Sequence, residues 1–233
     1  PASEFDADAV RHQRFKVYTA KQLDQIPQLQ QLSAEQRFEM QVVASVLPFR
    51  VNQYVIDELI DWHQVPADPI FQLTFPQRGM LKPEHYDRVA EAVRSELPAA
   101  EFKALISDVR AELNPHPAGQ LEHNIPMLDG EVVEGLQHKY RETVLFFPSN
   151  GQTCHAYCTY CFRWAQFVGL DELKFAAKEG EKLAAYLVEH PEVQSVLFTG
   201  GDPLIMKTAT LRRYIEPLLD PALSHINSIR IGT

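Results

Sequence analysis

The chain has 233 residues, with 22 lysines and arginines against 31 aspartates and glutamates, and its formal net charge is -9. This negative charge gives no general attraction to nucleic acid, and no apolar run is long enough to span a membrane. Residues 1–10 are acidic and polar, unlike a secretory signal. The composition therefore predicts a globular cytoplasmic protein that acts on a small molecule rather than on nucleic acid or a membrane.

The first part of the chain carries helical patterns and almost no strand patterns. Ser33 followed by Gln36 has the capping-box spacing that begins a helix. Asn52 is a typical N-cap, and Pro83 and Pro98 suit the first turn of a helix. Helices are therefore predicted at about 33–47, 52–66, 83–97 and 98–113.

Residues 114–130 contain prolines and glycine without periodicity, which predicts a linker or wrapping loop. Beyond residue 140 strands and helices alternate, a pattern typical of a parallel α/β fold. The predicted strands are 144–147, 195–198 and 228–231, and the predicted helices are 171–190 and 208–219. We expect residues 1–142 to form a helical domain with its linker. Residues 143–233 would start a (β/α) barrel that continues beyond Thr233, since a complete barrel needs about 250 residues.

The three cysteines lie at Cys154, Cys158 and Cys161, in the loop after the first predicted strand. Three thiolates from one loop can bind three irons of a 4Fe-4S cluster and leave the fourth iron open to another ligand. An alternative is a zinc site in which His155 supplies the fourth ligand. Three ordinary buried cysteines would not explain the C-x-x-x-C-x-x-C spacing.

A second motif, Thr199-Gly200-Gly201-Asp202, follows the second predicted strand. The carboxyl ends of parallel strands are where α/β enzymes place their sites. The two glycines let the backbone approach a ligand closely, and the aspartate offers a carboxylate to a cationic amine. The alternative is a simple turn between a strand and a helix.

The cysteine spacing, with Tyr160 just before the last cysteine, resembles the cluster loop of radical S-adenosylmethionine (radical SAM) enzymes. The resemblance implies a partial TIM-like radical SAM barrel that carries a 4Fe-4S cluster on the three cysteines. It also implies that S-adenosyl-L-methionine (SAM) binds the open iron and is cleaved to a 5'-deoxyadenosyl radical. The residues that this resemblance assigns to SAM binding are Tyr160, Thr199, Gly200, Gly201 and Asp202.

Three further stretches resemble the lysine 2,3-aminomutase family in particular: residues 135–140, 200–204 and 230–233. Arg163, after Phe162, matches the family arginine that holds the carboxylate of the substrate amino acid. The resemblance implies an isomerase that moves an amino group between neighbouring carbons of an amino acid bound to pyridoxal phosphate (PLP). It also implies an electron donor such as flavodoxin or ferredoxin, and it leaves a homo-oligomer open.

Two departures from the family pattern keep alternatives open. Trp164 and Ala165 stand where the family has further arginines, and Thr143 stands where an arginine contacts the PLP phosphate. Arg141 is a candidate replacement, and the lysine that binds PLP is expected beyond the end of this chain.

The alternatives are therefore a PLP-independent radical SAM enzyme, an elongation factor P-type lysine aminomutase, and a non-catalytic zinc or iron-sulfur module. For His138 and Tyr140 structural packing is the favoured interpretation. For Arg163 the alternative is an arginine at the surface or at a helix start.

Overall fold

The computed structural model describes residues 15–113, 123–161, 163–168, 176–177 and 180–233. The predictions for residues 1–10 and for Phe162 lie outside these residues, as do parts of the predicted linker and of the predicted helix at 171–190. Among the described residues, no helix combines the length and the apolar character needed to cross a membrane.

The N-terminal part begins with a short antiparallel pair, β1 (Val17–Thr19) and β2 (Arg50–Asn52). Helix α1 (Ala34–Val46) lies between them in sequence, and Ser33 and Gln36 form the predicted capping box at its start. The predicted helix after Asn52 is much shorter than expected. Asn52 does cap it, but only the single turn Val55–Leu59 forms before the backbone becomes extended.

The described residues of this part also form the α-helices α2 (Pro69–Thr74), α3 (Pro83–Arg94) and α4 (Ala99–Leu113). The last two match the helices predicted from Pro83 and Pro98. Two apolar cores stabilise the region. One core packs α1 against α3 and α4, and the other joins β1, β2 and α2 around Phe71 and Phe75.

The C-terminal part is built on one four-stranded sheet in the order β5-β6-β7-β8. A small hairpin, β3 (Met127–Leu128) and β4 (Glu131–Val132), precedes the sheet. The sheet strands are β5 (Leu136–Tyr140), β6 (Thr143–Phe146), β7 (Ser195–Phe198) and β8 (Ser228–Ile231). Strands β6, β7 and β8 are parallel and coincide with the three predicted strands to within one residue, whereas β5 is antiparallel and was not predicted.

Helices α5 (Glu181–Glu189) and α6 (Thr208–Ile215) connect the parallel strands and cover one face of the sheet. Side chains alternate along a strand, so Val144 and Phe146 of β6 point into this covered core while Leu145 points to the other face. The observed architecture is therefore mixed α/β. The carboxyl ends of β6, β7 and β8 lie together at one edge of the sheet, and both predicted motifs follow these ends.

Candidate functional site

The cysteine loop, residues 152–161, follows β6 after one 3-10 turn (Ser149–Gly151). It contains no regular helix or strand, so its backbone groups need partners from elsewhere. Within the loop, the amide of Cys161 donates to the carbonyl of Cys158 at 3.0 Å. The last two cysteines therefore share one tight turn.

All three cysteines are free and half-buried. Burial, together with the nearby thiol of Cys161, the carboxylate of Asp202 and the thiol of Cys158, raises the pKa of Cys154 to about 12. Burial also raises the pKa of Cys161. Each negative charge disfavours the next in this loop, so a bound cationic centre is what would keep the three thiolates together.

The Gly-Gly turn after β7 lies directly against the start of the cysteine loop. A Cβ atom on Gly201 would be 2.5 Å from the backbone nitrogen of Thr153, and one on Gly200 would be 2.3 Å from the Gln152 amide. Gly200 also has a φ of +126°, which other residues rarely adopt. The amide of Asp202 donates to the carbonyl of Thr153 at 2.8 Å. The two sequence motifs therefore form one continuous site.

The Asp202 side chain is fixed at the edge of this site. Its carboxylate accepts hydrogen bonds from the Leu204 amide at 3.0 Å and from the Thr233 hydroxyl at 2.7 Å. Thr233 follows β8, so the carboxylate joins the ends of β7 and β8. The carboxylate is held in one orientation and remains partly exposed.

Gln152 is a site residue that the sequence patterns did not reveal. Its Nε2 donates to the Pro148 carbonyl at 2.9 Å and lies 3.4 Å from the Thr199 carbonyl. The Gln152 amide therefore ties the end of β7 to the loop after β6. A lone glutamine carries no sequence signal for such a role, since only the tertiary contact defines it.

The N-terminal part of the chain forms the other wall of the cysteine loop. The Tyr157 amide donates to the Arg50 carbonyl of β2 at 3.1 Å, and the Thr159 amide donates to the Leu73 carbonyl of α2 at 2.8 Å. The last carbonyls of a helix lack partners within the helix, so the Leu73 carbonyl is available for this contact. A cavity of about 30 Å³ separates the walls, and its lining includes Cys158 and Cys161.

Arg163 and Tyr160 occupy contrasting environments. Arg163 is only 6% exposed, and its guanidinium carbon lies 3.7 Å from the centre of the Phe147 ring. Burial lowers the pKa of Arg163 to about 10, so the group remains a cation at neutral pH. Tyr160 is 78% exposed beside the last cysteine. Arg163 is thus part of the site's interior, whereas Tyr160 is on its surface.

His138, Tyr140, Arg141 and Thr143 lie at the opposite, amino-terminal end of β6. His138 Nε2 donates to the Arg141 carbonyl at 3.1 Å, and Nδ1 forms a hydrogen bond with the Tyr186 hydroxyl at 2.6 Å. This satisfied, packed histidine fits the structural interpretation. Tyr140 is exposed at the hairpin end of β5.

The cysteine loop fits an iron-sulfur cluster by the chemistry of its donors. Among the residues that the structure describes, no three His, Cys, Asp or Glu side chains are grouped to share one metal ion. A cubane cluster makes a different demand, because each thiolate binds its own iron. His155, the fourth ligand of the zinc alternative, is exposed.

The fold and the site together define a mixed α/β protein with a three-cysteine loop at the carboxyl ends of parallel strands. No family model matches the chain. A putative L-lysine 2,3-aminomutase of Aquifex aeolicus is 29% identical over 88% of this chain and 43% of its own length. The L-lysine 2,3-aminomutase of Bacillus subtilis is 36% identical over 43% of this chain and 20% of its own length. The L-lysine 2,3-aminomutase of Haemophilus influenzae is 33% identical over 45% of this chain and 29% of its own length.

The chain is thus similar to L-lysine 2,3-aminomutases, the family that the cysteine loop and the Gly-Gly-Asp turn resemble. It spans less than half the length of these curated relatives.

Proposed function

We propose that the protein is a radical SAM enzyme of the aminomutase type, with a 4Fe-4S cluster bound by Cys154, Cys158 and Cys161. The observation that supports this most directly is the packing of the Gly-Gly turn on the cysteine loop, sealed by the 2.8 Å hydrogen bond from Asp202 to Thr153. A cluster with one open iron and a neighbouring carboxylate is what binding of a cationic amino acid derivative requires.

When bound, the cluster supplies the electron that cleaves SAM to a 5'-deoxyadenosyl radical. The protein's part is to bind and orient SAM. Asp202 would hold the methionine ammonium with its oriented carboxylate. The backbone of Thr199, Gly200 and Gly201 allows a close approach, because no side chain projects from the two glycines. Tyr160, exposed beside Cys161, would cover the bound molecule.

Arg163 would anchor the carboxylate of an amino acid substrate. A guanidinium fork matches a carboxylate, and burial makes such a contact stronger than it is in water. The cation lies over Phe147, directly after the cysteine loop, so the substrate would be held beside the cluster. This contact requires the substrate to enter the interior of the site, since Arg163 is almost fully buried.

PLP is the least supported of the proposed cofactors. Thr143, which replaces the family arginine, is the first residue of β6, and Arg141 lies in the exposed turn before it. The arginine of the family pattern is thus missing at this position, which favours a PLP-independent radical SAM enzyme as the second candidate function. A PLP titration of the full-length protein, followed by visible absorbance, separates the two candidates.

The wider organisation is inferred from the family resemblance. We propose that residues 143–233 start a (β/α) barrel after a helical region with its linker at 1–142, and that the protein works in the cytoplasm. An electron donor such as flavodoxin or ferredoxin would reduce the cluster, and a homo-oligomer is compatible with this function.

Anaerobic reconstitution tests the proposal. Iron and sulfide analysis should give about four of each per chain, and reduction in the presence of SAM should release 5'-deoxyadenosine. Replacing any one cysteine by alanine should abolish the intact cluster, because the chain has 3 cysteines in all. One tightly bound zinc without iron would refute the proposal and support the zinc module.

A further inference from the structure

Arg50 contacts the cysteine loop on both sides of Cys154, although no sequence pattern marks it. Its Nη1 donates to the hydroxyl of Thr153 at 2.9 Å. Its backbone carbonyl accepts from the amide of Tyr157 at 3.1 Å. One residue of β2 therefore holds the loop before and after the first cysteine.

The contact is part of a larger interface between the loop and the N-terminal part of the chain. Ala156 packs against the apolar core around β1, β2 and α2, and the Thr159 amide bonds to Leu73. Arg50 is the member of this interface that brings a charge. Because the loop contains no regular helix or strand whose internal hydrogen bonds would fix its shape, these contacts determine where its cysteines lie.

The Arg50 side chain is partly buried against the cysteine loop. Its Nε is buried and has no hydrogen-bond partner in the part of the chain that the structure describes. A cation with a spare donor thus lies beside the first cysteine.

We propose that Arg50 is a positioning residue: it holds the cysteine loop on β2 and keeps a positive charge beside Cys154 that favours the reduced, more negative cluster. The electrostatic half of this proposal, the effect of the Arg50 charge on the cluster, rests on the proposed function, since it needs the cluster. The docking half, the attachment of the cysteine loop to β2, concerns the protein chain alone and can be measured without the cluster.

Hydrogen exchange of the cluster-free protein tests the docking. Arg50→Gln and Thr153→Val each remove the side-chain bond, and loss of a hydrogen bond to a charged group should speed exchange at the Tyr157 and Thr159 amides roughly tenfold. Arg37→Gln is the matched control, because Arg37 makes one comparable bond, to Gln30 at 2.6 Å, away from the loop.

Exchange in β7 should remain unchanged, which separates local loosening from unfolding. Wild-type exchange rates in the loop of Arg50→Gln would overturn the docking proposal. If that variant does not fold, Thr153→Val decides, because it leaves Arg50 in place.

The reduction potential of the reconstituted cluster tests the charge. Arg50→Gln should make the potential more negative, whereas Arg50→Lys and Thr153→Val keep the cation and should stay near wild type. Equal shifts in Arg50→Gln and Thr153→Val would refute the electrostatic half. A wild-type protein that takes up no cluster would refute the proposed function instead, and the exchange measurements would still decide the docking.

Discussion

Gly201→Ala is predicted to disturb the cysteine loop, because the turn after β7 packs directly against that loop. The added methyl group would lie 2.5 Å from the nitrogen and 2.7 Å from the carbonyl oxygen of Thr153. These are backbone atoms, so no side chain can rotate away to make room. Either the turn or the loop must shift.

The expected cost is that of an overpacked site, about 1–3 kcal/mol in the free energy of unfolding. For a domain of this size, about 2–4 °C of melting temperature corresponds to each kcal/mol, so Tm should fall by roughly 2–12 °C. The shift would also weaken the bond from Asp202 to Thr153. The cluster content after reconstitution should therefore fall together with the stability.

The assay compares Tm and iron content with those of Gly79→Ala. Gly79 is the matched control, because a Cβ there would meet no atom within 4 Å. If Gly201→Ala and Gly79→Ala have the same Tm and bind the same amount of iron, the inference that the two motifs are in close contact is wrong.

Three further substitutions test other parts of the structure. Gly135→Ala should destabilise the protein strongly, because its Cβ would lie 2.0 Å from the Ala177 nitrogen and its φ is +71°; thermal unfolding measures the loss. Tyr186→Phe removes the hydroxyl that is hydrogen-bonded to His138 and should lower the free energy of unfolding by about 1–2 kcal/mol. Denaturant unfolding measures the loss, and an unchanged unfolding midpoint would contradict the hydrogen bond. Asp202→Asn keeps an acceptor but loses the charge, so SAM affinity should fall roughly 10- to 150-fold while iron content stays unchanged; equal affinity would make this turn purely structural.

The elements that the sequence predicted well are those with a local cause. Ser33 and Gln36 begin α1 through contacts within one turn. The strand at 195–198 contains a short apolar run in which Val196 and Phe198 are buried, and the strand at 228–231 alternates Ile229 and Ile231 with polar residues. By contrast, β5 consists mostly of polar residues at the edge of the sheet, where the apolar pattern is weak. Strands β1 and β2 depend on a pairing of Thr19 with Arg50, which is distant in sequence and leaves no local signal.

The residues of the candidate site also fall into those with a local sequence signal and those without one. The spacing of the cysteines and the Gly-Gly-Asp turn were visible because each motif is contiguous. Arg50, Leu73 and Gln152 were not visible, because a lone arginine, a backbone carbonyl and a lone amide have no pattern. Their roles exist only through tertiary contacts.

This division has a physical consequence for how the site works. The cysteine loop has few internal hydrogen bonds, so its shape is imposed by β2, by α2 and by the turn after β7. Tyr157 and Thr159 would have no partner for their amides without the N-terminal part of the chain, and an unpaired buried amide is costly. The helical region is therefore a wall of the site rather than an independent attachment. The geometry of the three cysteines depends on residues about 80 to 110 positions earlier as much as on their own spacing.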